Sequence, residues 1–168
     1  MKRKMSFVSG CLWVIFFLTV SSSGAANVQL VSSLDASNEV PVSANGDSYM
    51  PVVSPDGRYV AFASTANNLV MTNNDGLLTG MPSHILNVFL RDRVMGSAIL
   101  VSANPGGIGG NGNYFPTGIS TNGQFVLFES AATDLVTNDV NTANNVFVRD
   151  VVNNLTILVS VNTNGVSG

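Results

Sequence analysis

Residues 54–64 read SPDGRYVAFAS, and residues 120–130 read STNGQFVLFES, 66 positions further on. Each segment is a tight reversal followed by a strand. In the first, Pro55 pre-sets φ, Asp56 bonds its own backbone and Gly57 accepts positive φ, the chemistry of a type I turn. Thr121, Asn122 and Gly123 hold the same places in the second. The strands that follow are Tyr59–Ala63 and Phe125–Glu129. Side chains alternate along a strand, so Val60 and Phe62 share one face, and Tyr59 and Ala61 share the other. Val126 and Phe128 stand against Phe125 and Leu127 in the same way. Both faces are largely apolar, and a strand covered on both sides belongs inside a stack of sheets.

Working outward, the self-similarity continues. NVFLRD at 87–92 returns as NVFVRD at 145–150, and AILVS at 98–102 returns as TILVS at 156–160, both at a spacing of 58. The shorter spacing reflects a shorter loop after Leu135-Val136 than after Leu69-Val70. A partial third copy opens the chain, with VQLVS at 28–32 matching AILVS. NGDSYMP at 45–51 matches NGNYFP at 111–116 with one gap, and Gly165 and Gly168 align with Gly107 and Gly110. Each copy reads as four short strands: Val52–Ser54, Tyr59–Ala63, Val88–Arg91 and Ile99–Val101 in the first, Thr117–Ser120, Phe125–Glu129, Val146–Arg149 and Ile157–Val159 in the second. Beyond residue 26 no window holds an i, i+3, i+4 apolar pattern, so no helix is expected.

A four-stranded unit that is apolar on both faces cannot bury itself alone, and radial stacking of such units gives a propeller. SPDGRYVAFAS followed by NVFLRD and AILVS resembles the repeat of TolB-type, WD40-like β-propellers. The resemblance covers Val28 to Gly168, and the second copy departs from it at Thr121-Asn122 and Gln124. It implies an all-β fold of propeller blades: two four-stranded antiparallel blades, about 49–102 and 114–160, plus a leading strand at Val28–Val31. It also implies an exported binding or scaffold module with no catalytic residue set. Propellers have about four to eight blades, so the expectation is an incomplete propeller, a piece of a longer protein. Isolated, such a piece exposes apolar faces and unpaired edges and tends to self-associate.

The front of the chain is read separately. Lys2, Arg3 and Lys4 precede an apolar run, Cys11 to Val20, and the small residues Ser21 to Ala26. This is the pattern of a cleaved secretory signal over residues 1–26, and the run is too short to span a membrane. Residues 27–168 are expected to be the folded part, periplasmic or extracellular. Val8-Ser9-Gly10-Cys11 is similar to a lipobox, but the apolar run follows the cysteine instead of preceding it. Without the signal, four arginines face ten acids, a net charge of −6 with no lysine. Such a surface disfavours nucleic acid and anionic membrane. Cys11 leaves with the signal, so no disulfide framework is expected.

Residues that carry chemistry are few. Asp139, Asn141 and Asn144 in the loop 137–145 offer hard oxygen ligands to Ca²⁺, and Asn73, Asn74 and Asp75 stand in the matching loop. The competing and preferred reading is Asx turns, with one carboxylate per loop and no bidentate Glu. Arg91-Asp92 and Arg149-Asp150 recur at the same point of each copy. They are read with Pro55, Asp56, Gly57, Asn122 and Gly123 as structural motif residues that close strand three and bind backbone. His84, the only histidine, stands beside Pro82 and is read as solvated; zinc needs more ligands than that. No G-x-S-x-G elbow or phosphate loop is present, and Gly106 to Gly112 reads as an inter-blade link. The expected function is non-catalytic display of loops 71–86 and 137–144 to a protein or glycan partner, without a cofactor. The alternative is the propeller portion of a larger exported hydrolase.

Overall fold

The computed structural model describes residues 29–33, 43–70 and 84–168. Residues 1–26 with their signal pattern, Val28, and the loop residues Asn73, Asn74 and Asp75 lie outside the described residues. Eight strands follow one another: β1 (Ser48–Val53), β2 (Tyr59–Ser64), β3 (Asn87–Asp92), β4 (Ala98–Leu100), β5 (Tyr114–Ile119), β6 (Phe125–Ser130), β7 (Asn145–Asp150) and β8 (Leu155–Leu158). They pair in sequence order into two antiparallel four-stranded sheets, β1-β2-β3-β4 and β5-β6-β7-β8. No helix occurs among the described residues, and the fold is all-β.

The turn before β2 forms as its sequence dictates. The Gly57 N–H donates to the Ser54 carbonyl at 2.8 Å, and Gly57 sits at φ +74°. Ser54 Oγ donates to Asp56 Oδ1 at 2.6 Å and accepts the Tyr59 N–H at 2.9 Å. Ser120, Asn122, Gly123 and Phe125 make the same set before β6. Register then repeats between the sheets. Phe62 faces Phe89, which faces Leu100; Phe128 faces Phe147, which faces Leu158.

The sheets lie face against face. Ala61, Val88 and Leu90 on one side of the first sheet form a single buried cluster with Tyr114, Val126, Phe128, Phe147 and Leu158 of the second. Phe128 and Phe147 stack with centroids 5.5 Å apart, and Tyr114 meets Phe128 edge-on at 6.0 Å. The opposite side of the first sheet holds a smaller cluster of Phe62, Ala66, Leu69 and Phe89, covered by Val31 and Ala44. The side of the second sheet that corresponds to the Ala61 face is open. Phe125 is 43% exposed and Ile157 46% exposed there.

Two expectations about strands are corrected. Strand one begins at Ser48 and Tyr114, before the proline instead of after it. Pro51 and Pro116 sit at register shifts of edge strands, where a missing N–H is tolerated, and Met50 adopts φ 51° at the first shift. The leading strand is not formed by its described part: only Ser33 pairs, through an isolated bridge to Ser43. The same bridge recurs as Ala103 to Gly109 and Val161 to Ser167.

Candidate functional site

The recurrent Arg-Asp dipeptide is divided by strand alternation. Asp92 stands at the end of β3, where the Arg58 guanidinium meets its carboxylate at 2.6 Å. Asp92 Oδ1 also accepts the N–H groups of Val94 and Met95, capping the turn into β4. The Arg58 hydrogen bond, aided by these N–H groups, holds the Asp92 carboxyl below the ordinary aspartate range against the effect of its burial. Arg58 itself lies 4.9 Å over the Tyr59 ring. In the second sheet Gln124 takes the place of Arg58. Its amide donates to both oxygens of Asp150 at 3.3 and 3.2 Å, and Asp150 caps its turn through Val152, Asn153 and the Asn153 side chain.

Arg91 turns the other way. Its guanidinium donates to the carbonyls of Val31, Ser33 and Gly96, tying the start of the described chain to β3. Arg149, equally buried, donates to Thr156 Oγ1 at 2.9 Å and to the Asn154 side-chain oxygen. Both dipeptides bind backbone or turn side chains, and the arginine and aspartate of each do not pair with one another. Arg149 lines a cavity of about 490 Å³ together with Ala103, Asn104 and Pro105.

The three loop residues weighed as calcium ligands do not converge. Asp139 Oδ1 and Asn141 Oδ1 both accept from the Asn145 amide nitrogen, at 3.1 and 2.9 Å, so an N–H donor stands between them. Asn144 turns away to Glu129 Oε2 at 3.1 Å. Asn141 also accepts the Ala143 N–H, an Asx turn. No group of three His, Cys, Asp or Glu side chains is placed to hold a metal among the described residues. His84 is exposed at the start of a described segment. In the glycine run, Asn104 Oδ1 accepts from Gly106 and Ile108, shaping a turn between the sheets.

Sequence reasoning missed a second recurrent device. Ser102 Oγ donates to Asn87 Oδ1 at 2.9 Å and accepts the Val88 N–H at 3.1 Å. Ser160, Asn145 and Val146 repeat it at 2.9 and 3.1 Å. The signal was present in the asparagine that opens NVFLRD and NVFVRD and the serine that closes AILVS and TILVS. Ser130 likewise donates to the Asn113 carbonyl and accepts the Ala132 N–H.

No protein-family model matches the chain, and no curated protein matches it.

Proposed function

We propose that the chain is an exported, non-catalytic binding or scaffold module whose sheets are blades of a β-propeller, displaying rim loops to a protein or glycan partner. The observation that carries this reading is the sense of the stacking. The Ala61 face of the first sheet receives the Phe128 face of the second, and the Leu127 face that corresponds to Ala61 stands open. An arrangement that joins unlike faces in a constant order is one that propagates, as blades do. The fate of the recurrent polar side chains supports a structural role. Ser54, Ser102, Ser130, Asn87, Asp92 and Asp150 are committed to turns and strand ends. Export is supported by Lys2, Arg3 and Lys4 ahead of the apolar run and by Ser21–Ala26.

The test is a chain in which residues 111–168 are repeated once after Gly168, where Gly168 takes the place of Gly110. A third sheet is expected to stack on the second. It would protect Phe125, Leu127 and Ile157 from solvent and raise the melting temperature. A third copy that leaves Phe125 as exposed as before contradicts the blade reading.

A further inference from the structure

Arg149 and Arg91 occupy corresponding places but meet different surroundings. The Arg91 guanidinium donates to the carbonyls of Val31 and Ser33, among others. The positions that correspond to those two in the next copy are Val101 and Ala103, by the alignment of VQLVS with AILVS and of the Ser33 and Ala103 bridges. Among the described residues Arg149 donates to neither carbonyl. Ala103 and Asn104 line, together with Arg149, a cavity of about 490 Å³.

Arg149 is 6% exposed, and a guanidinium carries five N–H donors. Two neutral side-chain oxygens, on Thr156 and Asn154, accept from it. The single ion pair among the described residues is Arg58 with Asp92, so Arg149 has no carboxylate partner there. Burial pulls its pKa down, opposed by the charge of Asp150. A buried cation with no carboxylate hydrogen-bonded to it is costly, and a planar guanidinium matches a carboxylate through paired hydrogen bonds. The cavity volume falls in the range of small-molecule sites. Asn104, Thr137 and Asn138 add polar groups to its wall, and Leu135, Val136 and Pro105 add an apolar side.

We propose that this cavity binds a carboxylate with a short aliphatic group, the carboxylate on Arg149 and the aliphatic part against Leu135 and Val136. The inference needs only the cavity and stands apart from the propeller reading. Its test is titration of the full chain, followed by NMR at the Arg149 Nε–H, with three probes. N-acetyl-L-leucine supplies both features, N-acetyl-L-leucinamide removes the charge, and galacturonic acid keeps the carboxylate on a hydroxylated ring. Saturable shifts are expected with N-acetyl-L-leucine, with binding at least about tenfold weaker for the amide, the discrimination of a lost charge-assisted hydrogen-bond pair. No saturable shift, or equal binding of acid and amide, overturns the site. Galacturonic acid binding as tightly as N-acetyl-L-leucine overturns the aliphatic assignment. Thr137→Trp, an exposed position at the cavity wall, keeps Arg149 and the core and is expected to weaken the acid by a similar factor. Unchanged affinity in that variant, with the fold intact, places binding elsewhere.

Discussion

Tyr59 of the first sheet closes over Gly123 of the second: a Cβ on Gly123 would stand 2.7 Å from three carbons of the Tyr59 ring. Gly123 also sits at φ +72°, so it is required twice, once by the turn and once by the neighbouring sheet. Its counterpart Gly57 has φ +74° but meets only Arg93, at 4.0 Å. The difference between these two glycines isolates the contact between sheets. Gly57→Ala is expected to cost about 1–2 kcal/mol, the strain of a left-handed alanine. Gly123→Ala adds overpacking of about 1–3 kcal/mol. Denaturant unfolding of the two variants measures the gap, and equal losses would contradict the contact.

Phe128 is fully buried between the sheets, and Ile157 stands on the open face. Phe128→Ala is expected to cost about 3–5 kcal/mol, whereas Ile157→Ala should cost less than about 1 kcal/mol. Chemical denaturation of both variants checks the ranking.

The sequence carried the strand order, the turns and the apolar faces, because SPDGRYVAFAS has a turn signal at one end and a two-sided apolar strand after it. It misplaced the start of strand one, because a proline reads as a boundary. On an edge strand with a bulge, Pro51 and Pro116 cost no ladder bond. It marked Arg91-Asp92 and Arg149-Asp150 as structural but could not say where each side chain goes, since neighbours on a strand point to opposite faces and meet different partners. It had no access to the Arg149 cavity, which depends on how the link at Ala103–Pro105 passes a residue 44 positions or more away.

Acid should destabilise the fold through Asp92 and Asp150, at the ends of β3 and β7. Asp92 is held below its ordinary range chiefly by Arg58, and Asp150 chiefly by the Asn153 side chain. A lowered folded-state pKa contributes stability that is complete above the unfolded value of about 4 and is lost as pH falls through the folded value. Melting temperature is therefore expected to fall below about pH 4, and Asp92→Asn should flatten that fall. An unchanged acid profile in Asp92→Asn would contradict the linkage.

Ser102→Ala leaves the Val88 N–H and Asn87 Oδ1 without their shared partner in a buried site. The expected loss is about 1–3 kcal/mol. Amide exchange at Val88 should report it, rising in the variant while exchange at the equivalent Val146 stays unchanged.

The open face of the second sheet groups Phe125, Leu155, Ile157 and Val159, each between 43% and 51% exposed. Exposed apolar surface of this kind drives association. The chain is expected to self-associate with rising concentration in light scattering, and Leu155→Lys with Ile157→Lys should suppress it.

The most direct measurement is a set of NOEs between the Tyr59 ring protons and the Gly123 Hα protons, with the ring-current shift of those α protons. Strong cross-peaks and an upfield Hα are expected if the two sheets shield one another face to face. Their absence, in a folded chain whose strands pair as described, would mean that the sheets meet in some other way and would remove the basis for reading them as stacked blades.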